Sequence, residues 1–85
     1  MQFFIIVRER REVRTIYKRI RDLREDRDLT QREMAEILHC SQQVYSNYEL
    51  GQRDIPTEVL IRLSDFYLVS VDYILGISEN PKRLK

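Results

Sequence analysis

Residues 30–51 read TQREMAEILHCSQQVYSNYELG, and the fold turns on this stretch. Thr30 followed by Glu33 fits a capping box, in which hydroxyl and carboxylate each satisfy an orphan N–H of a helix's first turn. Met34, Ala35 and Leu38 then fall at helical spacing and give that helix an apolar face. His39-Cys40-Ser41 interrupts the pattern, and Ser41 is a good N-cap for a second helix. The second helix places Tyr45 and Tyr48 on one side. Its opposite side carries Gln42, Gln43, Ser46 and Asn47, all uncharged and all able to hydrogen-bond. Gly51 closes it, since glycine takes the left-handed conformation cheaply. The stretch predicts two short helices joined at a tight corner, a helix-turn-helix.

The rest of the chain supplies helices to pack around it. Upstream, Val13, Ile16, Tyr17, Ile20 and Leu23 recur at helical spacing with charge on the other face. That helix should end near Glu25 to Arg27 and begin anywhere from Glu9 to Tyr17. Downstream, residues 52–55 form a loop and Pro56 suits the start of a helix. Val59, Leu60, Leu63, Phe66 and Tyr67 give this fourth helix its apolar face. Ser70 is a plausible N-cap for a short fifth helix ending at Gly76. Three segments result: an N-terminal apolar and basic extension over 1–12, a domain over 13–77, and a polar tail over 78–85 expected to be flexible. The run FFIIV at 3–7 admits four readings: extra core, a short strand, an association surface or a loose start.

Length allows one domain with a modest core: 85 residues. A hydrophobic content of 42% beside 34% charge suits a soluble globular chain and excludes a disordered one. A single cysteine cannot form an internal disulfide, which fits the cytoplasm. FFIIV is too short to span a membrane and lacks the flanks of a signal peptide. Net charge is only +1, yet its distribution is uneven. Residues 8–21 hold seven basic and two acidic side chains, whereas residues 33–75 hold two basic and seven acidic. A nucleic-acid binder concentrates basic groups on one face; the alternative is a solvated helix laced with i,i+4 ion pairs.

The sequence resembles the phage-repressor-like helix-turn-helix family (Cro/CI-type, XRE). The shared pattern is Thr-Gln-x-x-x-Ala at 30–35, Ser41, Ser46 and Tyr-Glu-x-Gly at 48–51. Leu23-Arg24, Arg53, Pro56, Leu60, Leu63 and the run Val71-Asp72-Tyr73-Ile74-Leu75-Gly76 also fit, so the resemblance covers roughly residues 18–76. It departs at the corner, where the family usually has glycine and this chain has His39. Histidine tolerates a positive φ better than most residues, so a small strain is expected there and an intact turn. The resemblance implies an all-α, five-helix, lambda-repressor-like bundle that binds double-stranded DNA and regulates transcription, with repression the expected sense.

Helix-turn-helix recognition sets the second helix of the motif in the major groove, its N-terminal residues nearest the base edges. Gln42, Gln43, Ser46 and Asn47 are the base-contact candidates, because an amide matches adenine N6 and N7 in a bidentate pair. A glutamine on a helix is otherwise merely solvated. By resemblance, Gln31 anchors a phosphate, Arg53 and Arg24 are further phosphate candidates, and Arg24 pairs with Glu49 to fix the recognition helix. Arg53 also reads as an exposed loop charge. Val71, Ile74, Leu75 and Ile77 are too apolar for a free surface and imply a homodimer interface, with half-sites arranged as a pseudo-palindrome.

Other chemistry finds no footing in the sequence. His39 and Cys40 lack the second pair that a zinc site needs, and Cys40 reads as a small core hydrophobe. Neither a nucleophile–base constellation nor a glycine-rich phosphate loop is present, so no enzyme activity and no cofactor is expected. The rival reading is a protein-interaction module, an antitoxin or the partner of another regulator.

Overall fold

In a computed structural model, residues 18–83 are described, and they form five helices with no strand among them. Helix α1 covers residues 18–26 within the described chain, α2 is Gln31–Leu38, α3 is Gln42–Leu50, α4 is Thr57–Tyr67 and α5 is Val71–Ile74. The start of α1 and the run FFIIV lie outside the described residues.

Local chemistry sets most helix starts. Thr30 and Glu33 make both bonds of the capping box: Glu33 N–H donates to Thr30 Oγ1 at 3.0 Å, and Thr30 N–H to Glu33 Oε1 at 2.9 Å. Ser41 Oγ accepts from Val44 N–H at 3.1 Å, and Ser70 Oγ from Tyr73 N–H at 3.0 Å. Helix α4 differs. Pro56, read as suiting a helix start, stands there as the N-cap residue, at φ −62° and ψ 153°, and gives no side-chain cap.

Each helix is closed by a left-handed residue, only two of them glycine; after α5 it is Gly76, at φ 77°, with Ile77 N–H returning to the Asp72 carbonyl at 3.0 Å. Asp28, His39 and Leu68 have φ of 57°, 60° and 58°, and Gly51 has φ of 75°. In each case the N–H of the next residue reaches back five positions to a carbonyl: Leu29 to Arg24, Cys40 to Ala35, Gln52 to Asn47 and Val69 to Ser64, at 3.0 to 3.2 Å. These bonds satisfy orphan carbonyls of the last turn. The corner at His39 is therefore intact, as its tolerance of positive φ predicts.

The core joins all five helices: Ile20 from α1, Met34, Ala35 and Leu38 from α2, Tyr45 and Tyr48 from α3, Leu63 and Tyr67 from α4, and Ile74 from α5, with Val69 between α4 and α5. Tyr67 Oη donates to Met34 Sδ at 3.4 Å, which gives a buried hydroxyl a partner. Two arginines of α1 and its end tie the bundle at its rim. The Arg19 guanidinium lies 4.0 Å from the Tyr73 ring centre and donates to the Tyr73 carbonyl at 2.9 Å. Arg27 lies over Phe66 and Tyr67 and donates to the Tyr67 carbonyl. The remaining charges of α1, α2 and α4 include exposed i,i+4 pairs: Lys18–Asp22, Arg21–Glu25, Arg32–Glu36 and Glu58–Arg62.

Residues 78–83 lie back along the domain. Ser70 N–H donates to the Pro81 carbonyl at 2.9 Å, and Arg83 pairs with Asp65 of α4 at 2.9 Å. The sequence gives no local sign of either contact.

Candidate nucleic-acid interface

Helix α3 has two unlike faces. Tyr45 and Tyr48 are buried in the core, their rings packed edge to face with centres 6.4 Å apart. On the outward side Gln42 and Gln43 are exposed, while Ser46 and Asn47 are half-buried. Gln43 Nε2 sits 3.5 Å from Asn47 Oδ1, at the outer limit of a hydrogen bond. A bond this weak leaves both amides available to other partners. The four sequence-derived base-contact residues thus share one face at the start and middle of a rigid helix.

What holds that helix in place is the carboxylate of Glu49. Its side chain is only 4% exposed. Arg24 of α1 meets it with two donors, Nε to Oε2 at 2.7 Å and Nη2 to Oε1 at 3.2 Å. Gln31, in the first turn of α2, adds Nε2 to Oε1 at 3.0 Å. The third Arg24 bond, Nη1 to the Leu29 carbonyl at 2.7 Å, fixes the α1–α2 connection. One carboxylate therefore gathers side chains from three helices. A fork-on-fork pair of this kind adds geometric specificity to energy.

Burial alone would push the Glu49 carboxyl up, but the bonds from Arg24 and Gln31, with the charge of Arg24 and the nearby Tyr45 hydroxyl, outweigh it and hold the group below its usual value. The Glu49 bond in turn raises the Arg24 guanidinium. The Tyr45 hydroxyl interacts electrostatically with Glu49 but has no acceptor in good hydrogen-bond geometry. Burial beside that carboxylate pushes its pKa far up, so it stays neutral.

The remaining sequence-derived residues fall in different places. Arg53 is exposed in the loop after α3, and its charge is felt at the Cys40 thiol and the Tyr48 hydroxyl. Burial raises both of those groups, and Arg53 partly offsets it. Arg24 turns its donors inward, whereas the Gln31 amide keeps a second N–H beyond the one given to Glu49. Cys40 is half-buried against the core. Of the four residues assigned to a dimer surface, Ile74 is fully buried in the chain's own core and has no surface to offer. It is the last residue of the short α5 and points inward. Val71 and Leu75 are half-buried, and Ile77 is 73% exposed.

Two short helices at a capped corner, the second with a buried aromatic side and an outward amide side, define the helix-turn-helix class. A helix-turn-helix family model matches residues 20–74, and the chain belongs to this family, in its phage-repressor-like (XRE) branch. It is 42% identical over 66 residues to the HTH-type transcriptional regulator ImmR of Bacillus subtilis, an alignment covering 78% of this chain and 52% of that protein. It is 38% identical over 64 residues to the uncharacterized HTH-type transcriptional regulator YobD of the same organism, covering 75% and 57%. Identity to the cryptic phage CTXphi transcriptional repressor RstR of Vibrio cholerae is 36% over 61 residues, covering 72% and 55%. The chain thus spans about half the length of the curated relatives it matches. No solved structure gives a significant match.

Proposed function

We propose that this chain is a sequence-specific double-stranded DNA-binding transcriptional regulator, a repressor acting in the cytoplasm, that reads the major groove with α3. The observation that carries this reading is the outward face of α3, where Gln42, Gln43, Ser46 and Asn47 stand together opposite the buried tyrosines. A helix enters the major groove, and amides there match the donor–acceptor edges of bases. Gln31 and Arg53 are assigned to phosphates, which position the domain without reading sequence. Gln31 stands in the first turn of α2, where helix N–H groups also favour an anion. Arg24 and Glu49 hold the reading helix at a fixed angle to the scaffold. The names of the relatives, transcriptional regulators and a phage repressor, support the same reading. A homodimer would read two half-sites about one DNA turn apart, and Val71, Leu75 and Ile77 are the residues left to such an interface. No catalytic step and no cofactor is assigned.

Selection from a randomised duplex pool tests this directly, with Gln43→Ala in parallel. An enriched two-fold motif that relaxes at one base pair in the variant is the expected result. A folded protein that enriches nothing overturns the reading. Capture by a protein partner would then take its place, as for an antitoxin, and the exposed Ile77 and Leu68 favour that second reading.

A further inference from the structure

Helix α3 offers amides to the bases, but a DNA backbone has also to be met with charge. Each phosphate neutralised by a lysine or arginine releases counterions from the duplex. Gln31 is neutral, and the net charge of the whole chain is +1. Several cations of the domain are already engaged within it. Arg24 is turned onto Glu49 and the Leu29 carbonyl. Arg19 and Arg27 lie on aromatic rings of α5 and α4. Residues 31–52 hold a single lysine or arginine, Arg32, and Arg53 follows them.

Arg32 is badly placed for helix stability. It is the second residue of α2, and the partial positive charge of a helix N-terminus disfavours a cation there. Its ion pair does little to offset this. Nε lies 3.8 Å from Glu36 Oε2, beyond hydrogen-bond range, with the two side chains 79% and 70% exposed. The arginine also precedes the glutamate, the weaker order for an i,i+4 pair; Glu58–Arg62 of α4 has the better one. An exposed pair contributes little and is easily given up. A residue that breaks a local rule without a local gain points to a task outside the helix.

Its position suits such a task. Gln31 and Arg32 are successive residues of the first turn, about 1.5 Å apart along the axis and about 100° around it. Helical side chains lean toward the N-terminus, so Arg32 leans toward the end where Gln31 is assigned a phosphate. A guanidinium can take two phosphate oxygens at once. We propose that on DNA Arg32 leaves Glu36 for a backbone phosphate next to the one assigned to Gln31. With Arg53 it brackets the motif, one charge before the reading helix and one after it. This rests on the DNA reading proposed above and adds a binding residue to it. Arg32 contributes affinity and register and reads no base.

The test measures affinity for the selected duplex from about 50 to 200 mM salt, with the wild-type chain, Arg32→Gln and Arg32→Lys. One phosphate contact contributes about 0.9 to the slope of log affinity against log salt. Arg32→Gln should flatten the slope by that amount for each protomer bound, so that its affinity falls over this range by a factor about three to four times smaller. Its selected motif should be unchanged, and Arg32→Lys should keep the wild-type slope. Arg62→Gln, which removes a paired cation from α4, should leave the slope as it is. Arg32 is exposed, so its variants fold, and circular dichroism verifies that. A wild-type slope in Arg32→Gln overturns the inference, as does a motif altered at one base pair, which would make Arg32 a base reader. Equal flattening in Arg62→Gln also overturns it, by showing net charge at work in place of a contact. In all of these outcomes the wild type still selects a motif; if it selects none, the DNA reading itself falls.

Discussion

Arg24 and Glu49 meet at 2.7 Å across 25 residues of sequence, with side chains only 13% and 4% exposed. A bidentate pair so little exposed is costly to break from one side. Arg24→Met leaves a buried carboxylate with Gln31 as its remaining well-formed partner. The expected loss is about 3–5 kcal/mol, a large fraction of the stability of a domain this small. Urea unfolding of the variant checks it, and a change under about 1 kcal/mol would show that the pair is solvent-relaxed.

The same pair sets an acid limit. Glu49 has a folded pKa below its unfolded value, so its contribution is complete above the unfolded value and is lost as pH falls through the folded one. Stability should be level near neutrality on this account and decline below about pH 4.3, the ordinary glutamate value. In Glu49→Gln that part of the decline should vanish. Unfolding midpoints for the two proteins between pH 7 and pH 3 make the comparison.

Tyr45 gives a contrasting expectation. Its hydroxyl is buried without a well-formed hydrogen bond, so removing it relieves a desolvated group as much as it costs a contact. Tyr45→Phe should shift stability by less than about 1 kcal/mol. A loss of 2 kcal/mol or more would mean that the contact with Glu49 is a full hydrogen bond.

Strain at the helix ends predicts stabilising changes. His39 and Leu68 hold left-handed conformations that cost a residue with a Cβ about 1–2 kcal/mol. Part of that relief is offset by the extra freedom glycine has when unfolded. His39→Gly and Leu68→Gly should each gain about 1 kcal/mol, or 4–8 °C in Tm for a domain of this size. Calorimetry of each variant decides it; a fall in Tm would show that side-chain packing outweighs the strain.

On DNA, Gln43→Ala and Gln31→Ala should part company. Loss of a bidentate base contact relaxes preference at one position by about 1–3 kcal/mol. Loss of a phosphate contact weakens binding to every sequence alike. Competition titrations against matched and single-substituted duplexes separate the two.

What the sequence made legible was local chemistry. Thr30, Ser41 and Ser70 cap from within three residues of their targets, and so could be read off by spacing. The left-handed Leu68 could not, because leucine carries no such signal, and Asp28 only weakly, since aspartate tolerates that conformation without requiring it. The Arg24–Glu49 pair was visible only through the family resemblance, and the share of Gln31 in it was not visible at all. Gln31 lies 18 residues from Glu49, and nothing in its neighbourhood announces the contact. Ile74 misled because an apolar residue near a chain's end fits a partner's surface and its own core equally well.

Helix α3 has two sides under different constraints. Tyr45, Tyr48 and Glu49 are bound into the scaffold, whereas Gln42 and Gln43 are exposed and Ser46 and Asn47 half-buried beside them. If the outward face reads DNA as proposed, substitutions at its exposed glutamines would change what is read at little expense in folding, so new operator preferences would lie a few single-codon steps away. The first set has no such freedom. A genetic screen would find the division as two kinds of mutant, temperature-sensitive at 24, 31 and 49, and altered in target choice along the outward stripe.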